Sequence, residues 1–156
     1  MGLRVRDFEK VGRMLSDEHG VHVVCGGDQC LVDVESKLIV IPDIPETIDN
    51  PRLLALVRSF LDHEVGHLVG HSDSKVAEKV NTEKGPGYFG ILNPLEDIRV
   101  ERIMQELYVG CGLNLDIGGR EVMADFEKEI KTGGEKAAVL RTPLKQLTMA
   151  VYCRGK

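Results

Sequence analysis

The chain has 156 residues, of which 42% are hydrophobic and 29% are charged, and its formal net charge is −5. This length and composition predict one domain with its own core, over residues 1–156, rather than two domains. Basic and acidic residues are interspersed and the net charge is negative, so we expect no nucleic-acid partner.

The chain shows no pattern typical of membrane proteins. Its first residues contain no apolar run of the kind found in signal sequences, and no stretch approaches the roughly 18 apolar residues of a membrane span. We therefore expect a cytoplasmic protein with no membrane partner.

The cysteines form no Cys-x-x-Cys pair, which is typical of reduced cytosolic thiols. Cys25 and Cys30 flank the turn-forming segment Gly-Gly-Asp-Gln, so they could face each other across a hairpin. A disulfide or a second metal site at this pair is the alternative interpretation.

The first third of the chain predicts a helix followed by a small sheet. Apolar residues recur at helical spacing in an amphipathic pattern over residues 5–18. Three β-like segments follow, separated by short turn-forming stretches, at residues 21–25, 30–34 and 37–42. Segments joined so closely predict an antiparallel sheet.

A helix predicted over residues 51–70 carries the most informative motif of the chain. Asn50 is a favourable N-cap, and the apolar stripe of the helix includes His63 and His67, which form His-Glu-x-x-His with Glu64. Residues four apart on a helix have Cβ atoms roughly 5 to 6 Å apart, so both imidazoles can bind one zinc ion. We predict that His63 and His67 bind Zn²⁺ and that Glu64 is the general base that accepts a proton from zinc-activated water.

The segment after this helix shows little periodicity. Residues 72–93 contain several glycines and prolines and no more than a turn of helix at 75–80, so we expect a long loop that is functional or mobile.

A second acid-bearing helix is predicted from Asn93-Pro94 to Leu107. Glu96 lies near the middle of its apolar side, on which the apolar residues are Leu92, Val100, Ile103 and Leu107. A carboxylate directed into an apolar face is costly unless a cation meets it there. We therefore predict Glu96 as the third zinc ligand.

Two alternative ligands follow the motif directly. His71 extends the series of histidines spaced by four residues. Asp73 completes His-Glu-x-x-His-x-x-Gly-x-x-Asp, which resembles the metzincin signature with aspartate in place of the last histidine. Gly70 would supply the turn that returns Asp73 towards the metal.

The predicted second helix offers a further alternative. The placement of Glu96 resembles the gluzincin arrangement, in which an acid four residues after the ligand orients a histidine. Residue 100 is valine, whereas Asp97 and Glu101 have this spacing. Asp97 is therefore an alternative ligand, or Asp97 and Glu101 are both outer partners of the ligands.

These features resemble the metallopeptidase-like domain of phage and bacterial proteins related to the cobalt-chelatase large subunit. The resemblance spans about residues 20–108, and its most specific part is Leu-Glu-Asp-x-Arg-x-Glu at residues 95–101. It implies an α+β, zincin-like fold, in which a small antiparallel sheet packs on the His-Glu-x-x-His helix and the C-terminal half is helical.

The same resemblance implies a function. We expect a zinc metallopeptidase, a hydrolase acting on a peptide or protein substrate. The alternative is a non-catalytic, zinc-stabilised adaptor or chelatase-type subunit that works with a partner ATPase or a von Willebrand factor A-type protein. Two further helices, predicted at residues 119–131 and 135–153, carry no residues that we assign to chemistry.

Overall fold

The computed structural model describes residues 5–16, 20–26, 30–42, 44 and 48–133. Within these residues the protein is mostly helical, with five helices and one three-stranded sheet, so the predicted α+β class is confirmed. The elements are α1 (Val5–Ser16), β1 (His22–Cys25), β2 (Leu31–Asp33), β3 (Leu38–Ile41), α2 (Pro51–Val69), α3 (Ser74–Lys84), α4 (Pro86–Leu107) and α5 (Val109–Thr132). The helix predicted at 135–153 lies outside the described residues.

The chain forms two compact units. The first comprises Met1–Ser72 and Val100–Gly118, and the second comprises Asp73–Arg99 and Gly119–Lys156. Helices α4 and α5 are continuous and have residues in both units. The prediction of a single domain over residues 1–156 stays a prediction.

The sheet belongs to the first unit and has the strand order β1-β3-β2. Strand β3 pairs parallel with β1 and antiparallel with β2, so the prediction of a fully antiparallel sheet is wrong. Strand β3 consists of four apolar residues, of which Ile39 and Ile41 are fully buried, whereas Leu31 and Asp33 of β2 are exposed. The most apolar strand takes the centre, since a central strand is covered by a neighbour on each side.

The core of the first unit lies around α2, which packs on β2, β3 and α1. Helix α1 also packs on β1. Atoms of Val21, Val23 and Val65 lie 3.6 to 3.7 Å from where a Cβ of Gly12 would be, which is ordinary van der Waals distance. The expectation that the motif helix packs on the sheet is confirmed. The buried cluster consists of Phe8, Val21, Val23, Ile39, Ile41, Ile48, Val57, Leu61, Val65, Leu68, Met104, Cys111 and Leu115.

Helix α2 begins where the sequence predicts. The Asn50 side chain accepts hydrogen bonds from the backbone N–H groups of Arg52 and Leu53, and Pro51 lies in the first turn, where a missing N–H costs nothing. The helix ends at Val69, one residue before Gly70.

The long loop predicted at residues 72–93 is wrong, since most of this segment is helical. Asp73 caps α3 by accepting hydrogen bonds from the N–H groups of Lys75 and Val76, at 2.9 and 3.2 Å. Gly85, with φ of 85°, separates α3 from α4. Helix α3 buries none of its residues, so its sequence has no apolar stripe that would reveal a helix.

Helices α4 and α5 both begin earlier than predicted. Helix α4 starts at Pro86 and contains Pro94 in its interior, and α5 includes the predicted helix 119–131 as its second half. Among the described residues, no helix combines the length and the apolar character needed to cross a bilayer.

Helix α5 crosses α2 in close contact at Gly118. A Cβ atom added to Gly118 would overlap the Oγ and Cβ atoms of Ser59, which is buried on α2. Gly110, on the same helix, has no atom within 4 Å of an added Cβ. The two glycines therefore differ in what a methyl group would meet.

We predict that Gly118→Ala lowers the free energy of unfolding by about 1 to 3 kcal/mol, because α5 must move away from α2. Gly110→Ala is the matched control and should be neutral or stabilise the protein by up to about 1 kcal/mol, because alanine is the better helix former. Urea unfolding followed by circular dichroism measures both. Equal effects of the two substitutions would contradict the close crossing.

Candidate metal centre

His63 and His67 lie one turn apart in the second half of α2, and both are half-buried. Their ring centroids are 5.1 Å apart and the ring planes meet at 82°. The spacing of four residues therefore brings the two imidazoles together on one side of the helix, as the sequence predicts.

Glu101 of α4 holds the first histidine. Its Oε1 atom lies 3.1 Å from Nδ1 of His63, and the residue is only 3% exposed. When Glu101 is ionised it can only accept a hydrogen bond, and Nδ1–H of His63 is then the donor. In this tautomer an ion would be held by Nε2 of His63.

Ser72 holds the second histidine. Its Oγ atom lies 2.9 Å from Nδ1 of His67. This contact engages Nδ1, so an ion would be held by Nε2 of His67. In both histidines Nδ1 is therefore in contact with another side chain.

Asp97 is the acid that the structure groups with the histidines. One ligand atom from each of His63, His67 and Asp97 lies within 4.8 Å of the others, an arrangement that could hold a metal ion. Asp97 and Glu101 are one turn apart on the continuous helix α4. Asn93 donates a hydrogen bond of 3.2 Å from Nδ2 to Oδ2 of Asp97, so this residue too has an outer partner.

Glu96, the predicted third ligand, lies outside this group. Its carboxylate forms a bidentate ion pair with Arg99, with Nη2–Oε1 and Nε–Oε2 distances of 2.6 and 2.7 Å. Acid and base three residues apart form such pairs on helix surfaces, and this spacing is visible in the sequence. The spacing of four between Asp97 and Glu101 is the signal that favours Asp97.

At the C-terminal end of α4, the side predicted to face the core differs from the side that is buried. Leu107 is 57% exposed, whereas Val100, Glu101 and Met104 are buried. The projection counted Leu107 as an inner residue, so it placed the inner side too close to Leu107 and left Glu101 outside it. A carboxylate can be buried here because His63 meets it.

His71 and Asp73, the alternative ligands that follow the motif, lie outside the group of three donors. Asp73 is the N-cap of α3, where its carboxylate accepts backbone hydrogen bonds. His71 is exposed in the turn after α2, with φ of 52°. Neither residue belongs to the group of three donors.

Glu64 lies next to His63 in the sequence and is only 6% exposed. Its negative charge acts on Cys30: burial, Glu64 and Cys25 together raise the pKa of the Cys30 thiol from 9.0 to about 12. Cys25 ends β1 and Cys30 directly precedes β2, and both are free thiols. Because β3 lies between β1 and β2, the hairpin considered for the two cysteines is wrong. The charge of Glu64 is therefore felt at Cys30, just before β2.

Asp62, on the other side of His63, is a buried acid that sequence reasoning missed. Asn114 donates a hydrogen bond of 2.8 Å from Nδ2 to Oδ2 of Asp62 and ties α5 to α2. Burial raises the pKa of Asp62, and hydrogen bonds from Asn114 and Cys111 and the charge of Arg58 oppose the rise. Only its position beside the motif could have drawn attention to it.

No family model, curated protein or solved structure matches the chain. The zincin class and the resemblance noted for residues 20–108 therefore stay predictions.

The electrostatic contact between Glu64 and Cys30 can be measured. With a pKa of about 12, Cys30 of the folded protein should react with iodoacetamide at pH 8 roughly a thousandfold more slowly than an ordinary thiol, because only the thiolate reacts. Glu64→Gln removes one charge and should speed the reaction of Cys30, as measured by peptide mass spectrometry.

Cys111 is the internal control for this measurement. Burial and then the charge of Asp62 raise its pKa to about 12, and Glu64 does not contribute. Its reaction rate should therefore be the same in wild type and Glu64→Gln. An unchanged rate at Cys30 would contradict the placement of Glu64.

Proposed function

We propose that this protein is a zinc-dependent metallopeptidase of the zincin class. The observation that carries the proposal is that each of the three grouped donors has one outer hydrogen-bond partner. The pairs are His63 with Glu101, His67 with Ser72, and Asp97 with Asn93. Ligating histidines almost always donate their second nitrogen in this way, because it orients the ring and raises its basicity.

The donor set fits a catalytic zinc ion. Two neutral imidazoles and one carboxylate are three protein ligands, which leaves a fourth position for water or substrate. The three residues are half-buried, so a substrate can approach from solvent. When bound, Zn²⁺ supplies Lewis-acid activation of water and of a carbonyl group.

Glu64 would carry the proton transfers. It shares a helical turn with both histidines, and its carboxylate would accept a proton from the attacking water and donate it to the leaving amine. The substrate would be a peptide or a protein segment in extended form. Strands β1 and β2 are the outer strands of the sheet, and backbone groups of an outer strand can pair with such a segment.

One observation favours a second candidate function. Glu64 is only 6% exposed, and a general base must reach the attacking water. In the alternative, zinc stabilises the fold of a non-catalytic subunit that works with a partner ATPase or a von Willebrand factor A-type protein. Zinc content alone does not separate the two functions, since both require the metal.

We predict that Glu64→Gln keeps one zinc ion per chain but lowers peptide cleavage by roughly 10²- to 10⁴-fold, because the general base is lost while the ligands remain. Zinc is measured by elemental analysis and cleavage with a broad peptide library. Glu106→Gln, at an exposed position of α4, is the control and should cleave like wild type. A wild-type protein that holds stoichiometric zinc and cleaves no peptide would exclude the peptidase and favour the non-catalytic subunit.

We predict that Glu101→Ala weakens zinc binding by about 10- to 100-fold, because His63 loses the partner that orients it. Competition with a chromophoric chelator measures the affinity. Glu106→Ala, on the same helix, should bind zinc like wild type. Unchanged affinity in Glu101→Ala would show that Glu101 does not support the metal site.

A further inference from the structure

We propose that the turn after α2 positions the metal ligand His67, with Ser72 as the positioning residue and His71 as the residue that makes the turn. This inference rests on the proposed metal binding. It adds a residue that the His-Glu-x-x-His motif does not contain.

The backbone of this turn forms a Schellman motif. The N–H of His71 donates to the carbonyl oxygen of Leu68 at 3.1 Å, and the N–H of Ser72 donates to the carbonyl oxygen of His67 at 2.9 Å. The second bond returns Ser72 to the last turn of the helix. It therefore ties the backbone of Ser72 to the same residue that its side chain contacts.

The geometry requires the left-handed conformation of His71. Its φ is 52°, a region that glycine adopts easily and histidine rarely, while Gly70 just before it has an ordinary helical φ of −79°. If the helix continued through His71, Ser72 would lie five residues after His67, about 140° away around the helix axis. Its hydroxyl would then lie on a different side of the helix from the His67 ring.

The hydroxyl of Ser72 can fix the ring of His67. Serine can donate or accept, but an ion on Nε2 requires that Nδ1 carry the proton, so Nδ1–H then donates to Oγ over 2.9 Å. The terminal torsion of a histidine is broad, so a ring without such a partner samples other orientations. The bond holds the Nε2 lone pair in one direction.

Termination of α2 and initiation of α3 do not require this hydroxyl. The N-cap of α3 is Asp73, whose carboxylate accepts hydrogen bonds from Lys75 and Val76. The Schellman bonds of α2 use backbone groups only. Removal of the Ser72 hydroxyl should therefore change His67 and leave both helix ends intact.

The test compares Ser72→Ala, Ser72→Thr and wild type in a Zn²⁺ titration against a chromophoric chelator. We expect Ser72→Ala to bind Zn²⁺ about 10- to 100-fold more weakly and Ser72→Thr, which keeps the hydroxyl, to bind within a few-fold of wild type. The visible absorption of the Co²⁺-loaded protein should change in Ser72→Ala and return in Ser72→Thr. The melting temperature of the metal-free protein should be the same in all three.

Two substitutions of His71 test whether the left-handed backbone of the turn is needed. His71→Gly should keep the affinity for Zn²⁺ and raise the melting temperature of the metal-free protein, because glycine adopts the left-handed region without strain. His71→Val should weaken Zn²⁺ binding as Ser72→Ala does, because a β-branched residue resists this conformation.

Failure of the inference and failure of the proposed function give different results. If wild type binds Zn²⁺ and Ser72→Ala binds it equally well with an unchanged Co²⁺ spectrum, Ser72 is not a positioning residue and the inference is overturned alone. If Ser72→Ala lowers the melting temperature of the metal-free protein and not the affinity, its role is structural and the inference is again overturned. If wild type binds no Zn²⁺, the proposed function fails and the inference fails with it.

Discussion

The candidate metal centre depends on the close packing of α4 against α2 at Gly66. A Cβ atom at this position would lie 3.1 Å from Cγ of Met104 and 3.4 Å from Cβ and the carbonyl oxygen of Val100, so a larger residue would separate the helices. The contact places Glu101, which lies between Val100 and Met104 on α4, against His63. Gly66 is one of the two variable positions of His-Glu-x-x-His. Because it has no side chain, α4 can approach α2 closely at this point of the motif.

This packing brings a buried carboxylate next to a proposed metal-binding histidine of the motif. A buried carboxylate is costly unless a hydrogen bond or a cation compensates it, and Glu101 is compensated in the first instance by the ring N–H of His63. The buried Glu64 and the nearby Asp97 add negative charge, which a divalent cation on the two histidines would balance. The histidines, and a cation bound by them, would therefore lower the free-energy cost of burying these acids.

Local rules predicted part of this arrangement and failed where burial does not follow the apolar pattern. Asn50 and Pro51 mark the start of α2 correctly, because an N-cap acts on backbone groups two and three residues away. Helix α3 was missed because it buries nothing, and the pairing of β3 with β1 was missed because pairing depends on which strand is most buried. The choice of Glu96 rests on its place in the helical projection, and the structure pairs Glu96 with Arg99.

The amino-acid sequence by itself determined the α+β class and the placement of His63, Glu64 and His67 on one turn of a capped helix. These features depend on contacts between residues at most a few positions apart, which helix geometry makes predictable. Only the tertiary structure groups Asp97 with the histidines and brings Glu101 and Ser72 to their rings. Such contacts depend on packing between distant parts of the chain, since His63 and Glu101 are 38 positions apart.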